Sequence, residues 1–154
     1  MSRKPDNAAA LEAAHTRRWR LAQAKARRTD AWTERLCRAL SMREAKRWKL
    51  VSFRGDDGGE SRGVVDILAV RRNTAAVVHD ILRPYDLFEI ILIQAKGGSA
   101  AAPSAYDVAR LRLVAERYNA KAIVFYRWRK GRESTFKALG PTGWEKASAK
   151  NLFT

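Results

Sequence analysis

Three polar residues interrupt two apolar segments that are typical of buried β-strands. Asp66 lies within GVVDILAVR, whereas Gln94 and Lys96 lie near the end of LFEIILIQAK. Residues two positions apart in a strand point to the same face of a sheet, so Gln94 and Lys96 share one face. Burying such groups without partners costs free energy, so their presence here needs a reason. If the two strands are neighbours, the three side chains converge and form a candidate site.

The chemistry that these residue types favour is metal-assisted hydrolysis of a phosphodiester. An oxygen of Asp66, one of Gln94 and the backbone carbonyl of Ala95 are hard ligands of the kind that Mg²⁺ prefers. Lys96 would orient an attacking water or help to deprotonate it, while the ion stabilises the charge that develops on the phosphate. Two simpler interpretations stay open: Asp66 pairs with an arginine, and Lys96 is a solvated cation at the end of a strand.

Two helices are predicted around these segments. The first is capped by Thr29 or Asp30, runs to about Arg47 and has one apolar face. That face consists of Trp32, Leu36, Ala39 and Leu40. The second helix begins at Ser104, whose spacing from Asp107 is that of a capping box.

Five strands are predicted from β-branched and apolar runs, and they cover residues 49–53, 63–71, 87–96, 121–127 and 134–139. Glycine and proline at residues 140–143 are expected to end the regular structure. The second and third strands are apolar on both faces, so helices should cover them. The prediction is an α/β fold with a small mixed sheet flanked by helices.

The chain divides by composition into three parts. Residues 1–30 form an Ala- and Arg-rich basic N-terminal arm that is partly helical, with a weak apolar stripe. The stripe consists of Leu11, His15, Trp19 and Ala22. Residues 31–146 form the α/β domain, and residues 147–154 are expected to be a polar tail.

The charge balance favours a polyanionic partner. The chain has 31 Lys and Arg against 16 Asp and Glu, a net charge of +15, which is typical of nucleic-acid binding. A hydrophobic content of 46% and five Trp exclude a wholly disordered basic protein. No apolar run reaches the roughly 18 residues of a membrane span, and no secretory signal is recognisable. We therefore expect a cytoplasmic protein without membrane contact.

The single cysteine excludes an intramolecular disulfide, and no cysteine or histidine has zinc-ligand spacing. We expect Cys37 to pack in the core rather than to act as a nucleophile. His15 and His79 likewise lack ligand spacing.

The order of the polar residues resembles that of a known nuclease superfamily. Glu34 on the first helix, Asp66 in GVVDILAV, and Gln94-Ala95-Lys96 in ILIQAK are similar to the PD-(D/E)xK pattern. The chain looks most like the archaeal-type Holliday junction resolvases, with a QxK variant as in Mrr-like restriction endonucleases. The resemblance covers roughly residues 31–146 and implies a restriction-endonuclease-like core.

The resemblance also implies roles for these residues. Asp66 would be a metal ligand, Gln94 would replace the usual acidic ligand, Lys96 would be the catalytic lysine, and Glu34 would be a helix carboxylate near the metal. The implied activity is structure-selective cleavage of branched or duplex DNA with Mg²⁺ or Mn²⁺, often by a homodimer. Gln94 keeps an oxygen but removes a negative charge, which should weaken binding of the ion. The long segment between Asp66 and Gln94 leaves their adjacency open.

Several basic or small residues are candidates for contact with phosphate, because cations attract it and glycines allow close backbone approach. They are Arg54, Arg62, Gly97, Gly98, Ser99, Lys130 and Arg132. Glu44, Asp57 and Glu60 are rivals to Glu34 as the additional carboxylate. The tryptophans at positions 32, 128 and 144 could stack on bases, but core packing is the simpler interpretation.

Three hypotheses of function stay open on the sequence. The first is a metal-dependent DNA endonuclease. The second is a nuclease fold that has lost metal affinity and binds DNA without cutting it. The third is a basic RNA-binding protein. Metal binding by Asp66 would separate the first from the second, and competition between RNA and junction DNA would expose the third.

Overall fold

The computed structural model describes residues 7–44, 47–54, 63–75 and 79–154. Within these residues lie three helices and six strands. In chain order they are α1 (Asn7–Glu44), β1 (Lys49–Ser52), β2 (Ile67–Arg72), β3 (Phe88–Gly97), α2 (Ala105–Arg117), β4 (Ala122–Trp128), β5 (Thr135–Leu139), β6 (Trp144–Ala147) and α3 (Ala149–Phe153). No helix in these ranges is both long and apolar enough to cross a membrane.

The six strands form one mixed sheet in the order β1-β2-β3-β4-β5-β6. Strands β3 and β4 are parallel, as the intervening helix α2 requires, and the other neighbours are antiparallel. The predicted α/β class, with a small mixed sheet flanked by helices, is confirmed. The long segment after β2 does not separate the two polar strands, because β2 pairs directly with β3.

Alternating side chains of β3 belong to two apolar clusters on opposite faces of the sheet. Ile91 and Ile93 pack with Cys37 in the cluster beneath α1 and α3. Leu92 packs with Leu111 in the cluster beneath α2. This alternation decides which face each polar residue of β3 occupies.

Helix α1 differs from the prediction because it runs without a cap through Thr29 and Asp30. The Thr29 and Thr33 hydroxyls donate to carbonyl oxygens four residues earlier, so these side chains bond within the helix instead of starting it. Small residues, including Thr33 and Cys37, form the buried face, whereas Trp32 is 51% exposed. Leu36 and Leu40 of the predicted apolar face pack against the core, as expected. Trp32 and Ala39 do not belong to the buried face, because small side chains let α1 lie close to the sheet.

The prediction that regular structure ends at residues 140–143 is also wrong. Strand β6 and helix α3 follow, so residues 147–154 are not a polar tail. Leu152 and Phe153 are buried, and the Trp48 indole Nε1 donates to the Phe153 carbonyl oxygen at 3.0 Å. An apolar pair in a five-residue helix is too short to produce a periodic signal, which is why the sequence pattern missed it.

The predicted start of α2 is confirmed. Ser104 Oγ accepts from the Asp107 N–H at 3.1 Å, and Asp107 Oδ2 accepts from the Ser104 N–H at 3.1 Å. This capping box fixes where α2 begins relative to the end of β3.

Cys37 is fully buried, as expected for a core residue. Burial is the main cause that raises the pKa of its thiol to about 12, and the negative charges of Glu34 and Asp66 raise it further.

We expect the free energy of unfolding to fall as pH rises from about 9 to about 12. The thiol stays protonated in the folded protein, whereas it ionises near 9.0 in the unfolded chain, so alkaline pH favours unfolding. Burial of Tyr126, which raises its pKa to about 12, acts in the same direction. Urea denaturation at about pH 7 and about pH 10 should show a smaller alkaline loss for Cys37→Ala than for wild type. Equal losses would exclude Cys37 as the source.

Candidate active site

Asp66 lies immediately before β2 rather than in mid-strand, which corrects the prediction. Its N–H donates to the Ile93 carbonyl oxygen at 3.0 Å, and its carboxylate Oδ2 accepts from the Ala95 N–H at 2.8 Å. The carboxylate thus takes the place of a main-chain acceptor and continues the β2–β3 pairing beyond the last backbone pair. This bond holds an acidic oxygen beside the Gln94-Ala95-Lys96 segment.

Gln94 and Lys96 point to the face covered by α2. Gln94 pairs in register with Phe125 of β4 and is only 5% exposed. Its Oε1 is buried and accepts no hydrogen bond from the described residues. An unsatisfied buried acceptor costs about 1–3 kcal/mol, so this oxygen needs a partner from outside those residues.

The oxygen atoms at this site are ligands of the type that a hard cation prefers, but together they carry little negative charge. An extended residue directs its N–H and C=O to the same neighbouring strand, so the Ala95 carbonyl lies on the side of Asp66. The Asp66 carboxylate, this carbonyl and the unpartnered Gln94 Oε1 are the set that would hold Mg²⁺ or Mn²⁺. No three His, Cys, Asp or Glu side chains in the described ranges form a metal-binding group. The set therefore carries one formal negative charge.

Two further charged residues, Arg127 and Asp107, lie near Lys96 and were not predicted to belong to the site. Arg127 is the register partner of Lys96 on β4; its Nη2 donates to the Ala100 carbonyl oxygen at 2.9 Å, and its buried Nε has no partner among the described residues. Hydrogen bonds from Ser104 lower the pKa of Asp107, and the charges of Arg110 and Lys96 lower it further. The sequence pattern identified Asp107 only as part of the capping box. Arg127 lies beside Lys96 on the parallel neighbouring strand, and such a pair cannot be predicted without the strand register.

Glu34 does not lie on the face of the sheet that carries Gln94 and Lys96. It belongs to α1, which packs on the opposite face of the sheet. Glu34 lines a cleft of about 380 Å³ whose other charged residues are all arginines. The negative charges of Glu34 and Asp66 both raise the pKa of the Cys37 thiol.

Four of the predicted phosphate contacts meet in one cleft of about 610 Å³ between α1 and the turn after β3. They are Gly97, Gly98, Ser99 and Lys130. Lys25 and Asp30 of α1 line the same cleft. Arg54 lines the arginine cleft instead, and its Nη2 donates to the Arg27 carbonyl oxygen at 2.8 Å.

The remaining candidates for phosphate contact, or for the additional carboxylate, are not found among the described residues that line these two clefts. Arg132 is exposed in the turn after β4 and lines neither of them. Arg62, Asp57 and Glu60 lie outside the described residues, as does the side chain of Glu44.

The tryptophans divide between core and surface. Trp128 and Trp144 pack against the two core clusters, as expected. Trp32 makes an edge contact with Trp128, with ring centroids 6.5 Å apart, but remains half exposed. His15 and His79 are both exposed.

A glycine is needed at position 97 so that α1 can pack against the sheet. The prediction had explained this glycine by close approach of the backbone to DNA. A Cβ at Gly97 would overlap Thr33 Oγ1 and lie 3.0 Å from Thr29 Cγ2. Gly98 has a φ of 60°, in the left-handed region that favours glycine. The two glycines therefore allow α1 to cross the end of β3 and let the chain turn towards α2.

We expect Gly97→Ala to destabilise the protein by about 1–3 kcal/mol, because the added methyl group forces α1 away from β3. Gly63→Ala is the matched control, since a Cβ there comes no closer than 3.9 Å to any atom outside its immediate chain neighbours. Urea denaturation measures both variants. Equal stability of the two would contradict the packing role of Gly97.

No protein-family model matches the chain, and no curated protein or solved structure matches it significantly. The case for a function therefore depends on the geometry of the site.

Proposed function

We propose that the chain is a metal-dependent endonuclease that hydrolyses phosphodiester bonds of DNA, with a preference for branched structures. The supporting observation is the Asp66 carboxylate held at 2.8 Å from the Ala95 N–H, beside the buried, unpartnered Gln94 Oε1. Lys96 follows on the same strand face. This set agrees with the resemblance to PD-(D/E)xK nucleases of the archaeal-type Holliday junction resolvase kind and their restriction-endonuclease-like core.

The roles follow from the positions of the groups. Asp66, the Ala95 carbonyl and Gln94 Oε1 would hold Mg²⁺ or Mn²⁺, which supplies Lewis-acid stabilisation of charge on the phosphate. Lys96 would orient the attacking water, and as the neutral amine it would accept the proton that the water loses. Arg127, next to Lys96, would add a second positive charge on the same face. Glu34 would act from the α1 side through its charge.

The proposed partner is DNA, and the proposed assembly is a homodimer. The net charge of +15 and the two clefts lined by basic residues support attraction of a polyanion. Symmetric cutting of two strands of a junction requires two active sites, which a two-fold dimer provides.

Cleavage of a four-way junction, a duplex and a flap in Mg²⁺ or Mn²⁺ tests the proposal. We expect Asp66→Ala and Lys96→Ala each to lower the rate by at least about 100-fold, because one removes the charged ligand and the other the amine that orients the water and accepts its proton. Lys137→Ala, at an exposed position of β5, is the control and should cleave like wild type. Undiminished cleavage by the two site variants, or none by wild type, would defeat the catalytic assignment.

A second function, DNA binding without cleavage, is favoured by one observation. The site carries a single formal charge because Gln94 is neutral, and the described residues offer no group of three acidic or soft ligands. Calorimetric titration with Mn²⁺ separates the two functions. Binding that Asp66→Ala abolishes supports the nuclease, and absence of binding by wild type supports the binding protein.

We expect Gln94→Glu to raise the affinity for Mn²⁺ by about tenfold or more, because a second carboxylate joins Asp66 at the ion. Without the ion the variant should be less stable than wild type, since two close carboxylates repel each other and one is buried. Thermal unfolding with and without Mn²⁺ should therefore show a larger metal-dependent shift for the variant. An unchanged shift would place the ion away from position 94.

A further inference from the structure

Helix α1 carries a row of arginines along one side. We call these six residues the arginine ladder: Arg17, Arg20, Arg27, Arg28, Arg35 and Arg38. At 100° per residue they fall on one face of the helix, and at about 1.5 Å per residue they extend over about 32 Å. All six side chains are exposed.

The ladder faces away from the core. The face of α1 that packs on the sheet is formed by Thr33, Cys37 and Ser41, each no more than 1% exposed. The ladder begins about 40° around the helix from this face and extends away from it, and all side chains described between residues 11 and 28 are exposed. The first half of α1 thus presents its arginines to solvent along its whole length.

None of the three ion pairs in the part of the chain that the structure describes involves a ladder residue. Glu34 lines the cleft that holds four ladder arginines but forms none of these ion pairs. Arg17 and Arg20 are three residues apart, as are Arg35 and Arg38, and like charges at this spacing destabilise a helix. The arrangement costs helix stability in the free protein, and a bound polyanion would offset that cost.

The C-terminal end of the ladder reaches the candidate site. Arg27, Arg28, Arg35 and Arg38 line the cleft of about 380 Å³ with Glu34 and Arg54. Arg54 Nη2 donates to the Arg27 carbonyl oxygen at 2.8 Å. The preceding residue, Phe53, donates its N–H to the Asp66 carbonyl oxygen at 2.9 Å. Two hydrogen bonds therefore link the ladder to the strand end that holds Asp66.

We propose that the arginine ladder binds the phosphate backbone of the DNA duplex that flanks the cut. A straight row of about 32 Å matches nearly one turn of B-DNA, over which the two strands carry about 18 phosphate charges. Trp32, the aromatic side chain nearest the ladder, is half exposed and packs edge-on against Trp128. The ladder therefore lacks the succession of stacking aromatic side chains that single-strand binding uses. The choice of DNA rests on the proposed function, but binding itself requires no cleavage.

Salt-dependent binding of a duplex of about 40 base pairs, in the absence of divalent ions, tests the ladder. The ladder variant replaces Arg17, Arg20, Arg28 and Arg35 by Gln. The control variant makes the same change of charge elsewhere, at Arg117, Lys137, Lys146 and Lys150, all of which are exposed. Fluorescence anisotropy gives the affinity of each protein at several salt concentrations.

We expect the ladder variant to lose at least about 100-fold in affinity at about 0.1 M salt, with the log–log salt slope smaller by about 3–4 units, because each lost phosphate contact contributes roughly 0.9. The control should stay within about threefold of wild type. Circular dichroism should show equal or higher helix stability for the ladder variant without DNA, because like-charge repulsion is removed.

Two results would overturn the inference. Equal losses in the ladder and control variants would mean that net charge alone attracts DNA. A loss of affinity for single-stranded RNA, with duplex binding unchanged, would assign the ladder to another partner. The binding assay contains no divalent ion and requires no cleavage. Failure of the ladder is therefore distinguishable from failure of the nuclease, which cleavage in Mg²⁺ reports separately.

Discussion

The candidate site depends on one hydrogen bond, from the Ala95 N–H to Asp66 Oδ2. Strand β2 begins only at Ile67, so the sheet would lose an acceptor opposite Ala95 if position 66 had an apolar side chain. The aspartate side chain fills that place and is itself immobilised. A carboxylate used in this way is held by the backbone at the strand end, beside the Gln94-Ala95-Lys96 segment. Structure and proposed chemistry thus require the same residue.

The sheet separates the charges that surround this bond. Gln94 and Lys96 lie on the face of α2, where Asp107 and Arg127 are also found. Glu34 and the arginines lie on the side of α1. Asp66 lies at the strand end between the two, where it is close to Ala95 and also raises the pKa of Cys37 beneath α1. A substrate at this end of the sheet would meet the oxygen ligands from one side and the cations of α1 from the other.

The sequence predicts those parts of the fold that depend on local patterns. The β-branched runs around Asp66 and Gln94 identify two strands, and the Ser104 spacing identifies the start of α2. Long-range packing decides the rest. Thr29 looks like a cap but bonds back into a helix that continues because Gly97 leaves room for it against β3. The face occupied by Glu34 could not be predicted, because sequence order places a carboxylate on a helix without saying which side of the sheet the helix covers.

The neutral Gln94 and the arginines of α1 have a common electrostatic consequence. A site with one formal negative charge in a chain of net charge +15 attracts a divalent cation weakly, because the surrounding arginines repel it. The same arginines attract phosphate. In the proposed nuclease, a bound phosphate would contribute the negative charge that glutamine does not, so the affinity for the ion would rise once DNA is in place. Metal affinity and DNA binding would then be coupled, and the coupling would be reciprocal.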